Sequence, residues 1–219
     1  MAGLEDATLD ELRAALIADV AANAAFDGWR ASAVAAAAAA RGVDPDVAKL
    51  AFPDGAAAMI DAWFAHIDRA MLADLPPEVL GAMKIRQRIA ALVEARLAIV
   101  APHRESLRRA LVVLAMPQNL AAAARLAWRS ADAMWRAAGD TATDYNHYTK
   151  RTILAGVYGA TVTVFLDDES ADHAETSAFL TRRIDGIMRF EKAKAGLLAR
   201  AERRPSLSRF IGRLRYPVV

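Results

Sequence analysis

The sequence predicts an all-α protein: a helical bundle with a helix-turn-helix-like N-terminal lobe and a C-terminal amphipathic helix. Three observations carry this. Apolar residues recur at helical spacing along nearly the whole chain. No run of β-branched residues alternates with period two, so no segment reads as a strand. Much of the 55% hydrophobic content is alanine, the strongest helix former, and the 8 prolines fall where helices start or between them.

Taken in order, the first helix is predicted over Leu9 to Ala24, with Leu9, Leu12, Leu16 and Val20 on one stripe. Phe26-Asp27-Gly28-Trp29 breaks it. Ser32 is expected to cap an alanine-rich helix that ends at Arg41-Gly42, where glycine suits a left-handed cap. Asp44 and Pro45 start a short helix to Phe52, and Pro53-Asp54-Gly55 turns the chain into a longer one, Ala56 to Leu75. Pro76-Pro77 marks the boundary between a small lobe, 1–75, and a larger helical body, 76–204. The body should hold helices near 78–100, 102–115, 117–139, 144–166 and 172–201, with Pro102 and Pro117 at helix starts. After Arg204-Pro205-Ser206 a last short helix, Leu207 to Leu214, falls in a third segment, 205–219.

The net charge of +2 conceals an asymmetry. Residues 1–75 carry 5 Lys and Arg against 12 Asp and Glu, a net of −7, and residues 76–219 carry 23 against 14, a net of +9. A lobe of that sign repels phosphate, which supplies most non-specific affinity for DNA. The helix-turn-helix stretch 27–56 offers only Arg30, Arg41 and Lys49 against Asp27, Asp44, Asp46 and Asp54. The expectation is therefore a structural lobe and no nucleic-acid partner. Zero cysteine excludes disulfides, thiol chemistry and thiolate metal sites. The start, Met1 to Arg13, lacks the basic and apolar regions of a signal or transit peptide, and no apolar run reaches a bilayer span. The chain is therefore expected in the cytoplasm.

No catalytic motif is present, so the chain is expected not to be an enzyme and to need no cofactor. His66, His103, His147 and His173 show no ligand spacing, and no metal site is expected. The acids Asp167, Asp168, Glu169, Asp172 and Glu175 lack the glycine and spacing of a calcium loop and read as a turn followed by a helix N-terminus.

Two segments point outward. Leu207, Phe210, Ile211 and Leu214 form one apolar stripe, with Arg209 and Arg213 elsewhere on the wheel and Arg215 beyond. Such a helix reads equally as an interfacial membrane or docking element and as one packed on its own domain. Thr143 to Arg151 crowds Tyr, Asn, His, Tyr, Lys and Arg at one helix start, capped by Thr143 or Asp144. That composition favours an interaction patch over an ordinary helix start.

Asp144-Tyr145-Asn146-His147-Tyr148-Thr149-Lys150-Arg151-Thr152-Ile153-Leu154-Ala155-Gly156-Val157-Tyr158 resembles the signature helix of a coenzyme Q biosynthesis family, the one founded by the ninth yeast coenzyme Q protein. The resemblance continues through Phe165-Leu166-Asp167-Asp168, Thr176, Phe179-Leu180, Arg183-Ile184-Asp185 and Met188. His147 stands where mitochondrial members commonly have tryptophan, and the absence of a transit sequence suits a bacterial member.

The resemblance implies a TetR-like, dimeric fold that has lost DNA reading and assists ubiquinone biosynthesis. It implies binding of isoprenoid quinone lipids in an apolar cavity and their presentation to the demethoxyubiquinone hydroxylase. That cavity is expected to be lined by Leu92, Leu111, Met116, Leu126, Met134, Leu154, Val157, Leu180, Ile184 and Met188, which read equally as ordinary core. Hydroxylase contact is expected at Asp144, Asn146, His147, Tyr148, Lys150 and Arg151. Contact with the membrane surface is expected at Leu207, Arg209, Phe210, Ile211, Arg213 and Leu214, making the protein peripheral to the inner membrane. A homodimer would pair through 145–166 and 173–200. The rivals are a TetR-like transcriptional regulator and a purely structural dimeric interaction protein.

Overall fold

The computed structural model describes residues 7–143 and 145–202, with side chains as far as Ile187 together with Arg189. Among the described residues there are ten α-helices and no strand. The predicted cavity residue Met188, the patch residue Asp144 and the whole segment 205–219, with its six membrane residues, lie outside those described.

Helix α1 (Leu9–Asp27) opens on a reciprocal cap. The Glu11 amide donates to Thr8 Oγ1 at 3.3 Å, and the Thr8 amide donates to the Glu11 carboxylate at 2.9 Å. It runs past the predicted end until Gly28, whose φ of 73° is open to glycine at little cost, turns the chain. Helix α2 (Ala31–Ala40) starts before Ser32, with Arg30 at the cap position and no side-chain cap bond. The predicted cap at Ser32 is thus corrected: the cap position lies two residues upstream, next to Trp29, which is buried and whose indole Nε1 donates to the Ser106 carbonyl at 3.0 Å.

Helix α3 (Pro45–Leu50) is capped by Asp44, which accepts from the Asp46 amide at 2.7 Å. Helix α4 (Gly55–Asp74) follows. The single helix predicted near 78–100 is two: α5 (Pro77–Gly81) and α6 (Ile85–Val100). The break is held open by polar bonds that hydrophobic periodicity does not register. Gln87 accepts from the Lys84 amide at 3.0 Å, and Arg88 donates to the carbonyls of Met83 and Gly81 at 3.0 and 3.3 Å. Pro102 and Pro117 each lie in a short 3-10 turn, preceding α7 (Arg104–Leu114) and α8 (Leu120–Ala137). Helices α9 (Tyr145–Asp167) and α10 (Ala174–Glu202) complete the described chain.

The chain divides into two compact units, residues 1–180 and residues from Thr181 onward. In the first, α1 packs on α2, α4 and α7, α4 reaches α6 and α8, and α8 lies along α9. Lobe and body therefore share a core. Trp63 on α4 is buried against Trp29, ring centroids 5.2 Å apart, and meets Phe64 edge-on. Each such large apolar side chain contributes about 1.5–3 kcal/mol on burial. Ser106 on α7 ties the lobe from the other side by donating to the Ala21 carbonyl at 2.5 Å. Among the described residues no single helix is long and apolar enough to cross a membrane.

Candidate functional site: the α8–α9 face and the interior beneath it

The first turns of α9 present aromatic rings to solvent. Tyr145 is 80% exposed and Tyr148 is 61% exposed. Tyr148 meets His147, with ring centroids 5.1 Å apart, and Trp128 of α8, at 5.9 Å. His147 Nδ1 lies 2.9 Å from the Ala142 carbonyl, which fixes the imidazole at the helix mouth. A shallow cleft of about 360 Å³ opens beside them, lined by Arg136, Asp140, Thr141, His147, Tyr148 and Arg151 among others. Asn146 is exposed on the same turn.

Arg151 plays a different part from the one expected of it, and Lys150 stays half-exposed beside it. Arg151 is 1% exposed. Its Nε donates to Asp132 at 2.6 Å, its Nη1 to Asp140 at 3.0 Å and to the His147 carbonyl at 3.1 Å. A guanidinium so enclosed cannot reach a partner's surface; it clamps α9 to α8 from below. Lys150 joins the clamp, 2.6 Å from Asp140 and above the Trp135 ring at 5.4 Å, while Trp135 Nε1 donates to the Lys150 carbonyl at 3.0 Å. Burial works against the Asp140 charge, but the hydrogen bonds from Lys150 and Arg151 outweigh it and hold its carboxyl below the usual range. Sequence reasoning missed Trp128, Asp132 and Asp140, whose roles depend on helix packing.

Beneath this face the body is aliphatic. Leu92 on α6, Leu126 and Met134 on α8, Leu154 and Val157 on α9 and Leu180 on α10 are all buried. Ile184, in the second unit, is buried too. Leu111 is half-buried, and Met116 is 41% exposed. Met116 lines a separate cleft of about 740 Å³ with Trp29, Arg30, Arg109 and Val112, so the structure does not bring it together with the interior group.

One charged cluster interrupts the interior. Arg96 on α6 is fully buried, bonded to Asp68 of α4 and, through Nη2, to Ser130 Oγ of α8 at 2.9 Å. The Tyr158 ring lies 5.0 Å from its guanidinium carbon. Burial opposes the charge, yet Tyr158 and Asp68 raise the guanidinium's affinity for its proton. Among the described residues no group accepts a hydrogen bond from Arg96 Nε.

The acidic turn after α9 is a cap. Asp168 is buried and accepts from the amide and hydroxyl of Ser170, at 2.9 and 2.5 Å, and from those of Thr176, at 2.8 and 2.6 Å. Those bonds hold its carboxyl well below the usual range. Among the described residues no three His, Asp or Glu side chains gather as a metal site.

In the lobe the expected scarcity of DNA-reading groups goes further than counting suggests. Arg41 is paired with Asp19 at 2.6 Å, and Lys49, the cation of the six-residue α3, with Asp46 at 2.8 Å.

A helix-turn-helix lobe continuous with a helical body is the TetR-like architecture. A solved TetR transcriptional regulator from Nitrosomonas europaea matches with a TM-score of 0.64 at 23% identity, covering 80% of this chain and 97% of that one. That likeness concerns the fold alone.

The sequence comparisons are more specific. Residues 120–191, from the first residue of α8 into α10, match the COQ9 family model. The mitochondrial ubiquinone biosynthesis protein COQ9 of Rattus norvegicus is 34% identical over 167 residues, 74% of this chain and 54% of that protein. The Homo sapiens protein of the same name is 32% identical over 167 residues, 74% of this chain and 52% of the other. That of Xenopus tropicalis is 40% identical over 96 residues, 44% and 30% of the two chains. The chain thus carries a COQ9 family domain over residues 120–191 and is similar to curated COQ9 proteins beyond it. It spans about half the length of the first two of these relatives.

Proposed function

We propose that this chain is a non-enzymatic accessory protein of ubiquinone biosynthesis. It holds an isoprenoid quinone intermediate in the apolar body and presents it to the demethoxyubiquinone hydroxylase. The observation that carries the reading is where the family match falls. The matched stretch contains the half-buried rings of Trp128 and His147 packed on the exposed Tyr148, the exposed Tyr145 on the same helix start and, one layer below, the aliphatic side chains of α8 and α9. A partner docked on that face would sit beside the lipid. Exposed aromatic rings are the side chains that most often anchor such contacts.

The hydroxylase contact belongs to Tyr148, His147, Asn146 and the half-exposed Lys150, with Tyr145 added from the structure. Arg151 shapes the patch from beneath. The protein acts as a homodimer at the inner membrane surface, where the arginine-bearing stripe of Leu207, Phe210, Ile211 and Leu214 engages the bilayer. The paired cations of the lobe argue against a regulator that reads DNA.

The test is the quinone profile of cells from which this chain has been deleted. Demethoxyubiquinone should accumulate as ubiquinone falls, and expression of the intact chain should reverse both. An unchanged profile sinks the assignment to this step.

A further inference from the structure

The cleft that takes in Met116 lies apart from the aliphatic interior, between the α1–α2 turn, the start of α4 and the outer side of α7. Its volume of about 740 Å³ suits one small ligand. One wall is apolar, made by Trp29, Val112, Val113 and Met116. Val112, on α7, and Met116, in the bend after it, are both exposed. Trp29 is buried, and its bond to the Ser106 carbonyl fixes the ring, so that side of the wall is already formed. Exposed apolar side chains gathered in a concave site mark a place where something apolar binds.

The other side of the cleft is cationic. A Cβ placed on Gly28 would stand 3.9 Å from both Arg30 Nε and Arg109 Nη1, so two guanidinium groups converge over a residue that has no side chain. Arg109 is partly engaged: Nε donates to Glu105 at 3.0 Å and Nη1 to the Phe26 carbonyl at 3.3 Å. Among the described residues no hydrogen bond or ion pair engages the Arg30 guanidinium. The lobe is acidic as a whole, but this cleft is not: Arg30, Arg108 and Arg109 line it against Asp54 and Glu105. Glu105 is itself shared by Arg108 and Arg109. Converging cations repel unless an anion lies between them. Guanidinium groups bind phosphate oxygens through paired, charge-assisted bonds, and a phosphate monoester carries about 1.5 to 2 negative charges near neutral pH.

We propose that this cleft binds an amphiphile with a phosphate head, the head between Arg30 and Arg109 and the hydrocarbon chain along Trp29, Val112 and Met116. The site is independent of the quinone-holding reading, which concerns the interior. A phosphatidic acid head group at a bilayer surface and a free long-chain alkyl phosphate both offer this chemistry.

The test titrates the intact protein with decyl phosphate below its micellar concentration, with decanol and with inorganic phosphate. The wild type should bind decyl phosphate about tenfold or more tighter than either, since one lacks the charge and the other the chain. Arg30→Gln alters an exposed, unpaired side chain, so the fold should be kept. It should lower the affinity for decyl phosphate by about tenfold and leave that for decanol unchanged. Val112→Asp should weaken both. Equal binding of decyl phosphate by wild type and Arg30→Gln overturns the proposal, as does inorganic phosphate binding as tightly as decyl phosphate. No effect of Val112→Asp, or no binding of decyl phosphate by the wild type, overturns it too. Phosphatidylcholine vesicles with and without phosphatidic acid then give the source. A gain from phosphatidic acid that Arg30→Gln loses places the head group at a bilayer. A gain equal in both proteins, beside the expected titrations, means that the ligand is taken from solution.

Discussion

Arg151→Ala should unfold the α8–α9 joint on which the aromatic patch stands, and the structure gives the size of the effect. The guanidinium is buried and serves two carboxylates, Asp132 at 2.6 Å and Asp140 at 3.0 Å. Removing one partner from a buried ion pair costs about 3–5 kcal/mol, because the other charge stays desolvated. Here both carboxylates keep a second cation: Lys150 on Asp140 at 2.6 Å and Arg136 on Asp132 at 2.7 Å. The expected loss therefore lies at the low end, about 3 kcal/mol. For a chain of this length that lowers Tm by about 6–12 °C.

The assay is urea unfolding of wild type and variant, followed by far-ultraviolet circular dichroism and repeated across pH. The Asp140 carboxyl is held below its usual range in the folded protein. Its contribution is therefore fully present above the unfolded carboxylate value of about 4 and is lost as pH falls through the lower folded value. The gap between wild type and variant should be constant at neutral pH and close in acid. A loss under about 1 kcal/mol at neutral pH, or a gap that does not narrow in acid, refutes the clamp.

Two further outcomes follow from the same geometry. Tyr148→Ala should weaken association with the hydroxylase by about tenfold or more, as expected of an exposed aromatic anchor, with Tm nearly unchanged; equilibrium binding to the purified hydroxylase checks both halves. Gly139→Ala should cost about 1–2 kcal/mol in urea unfolding, since its φ of 90° strains any L side chain and the new Cβ would meet an Arg88 nitrogen at 3.2 Å. A neutral Gly139→Ala would show that Arg88 and the turn give way together.

The sequence makes helices readable wherever local chemistry decides them. Asp44 with Pro45, and Gly28 within the predicted break, each mark an end that the fold uses. The break between α5 and α6 stays hidden because apolar spacing continues across it, while Gln87 and Arg88 hold it with backbone bonds invisible to periodicity. The candidate site divides in the same way. Tyr148 is recognisable from its company, and Leu92, Leu126 and Leu154 from their spacing. Arg151 is expected in the contact patch because arginine beside aromatic rings is typical of interfaces. It is inside because Asp132 and Asp140, 19 and 11 residues away, reach it only once α8 and α9 pack. Met116 illustrates the reverse error: its apolar side chain suggested the interior, whereas the bend after α7 leaves it at the surface.

The central claim is that the body holds an isoprenoid quinone intermediate. Native mass spectrometry of the purified protein, followed by release and identification of whatever it carries, tests this most directly. The account predicts a bound isoprenoid quinone or prenylated phenol precursor at one per chain or fewer. A well-folded protein that carries no lipid, and takes none up from vesicles containing such a quinone, would contradict it.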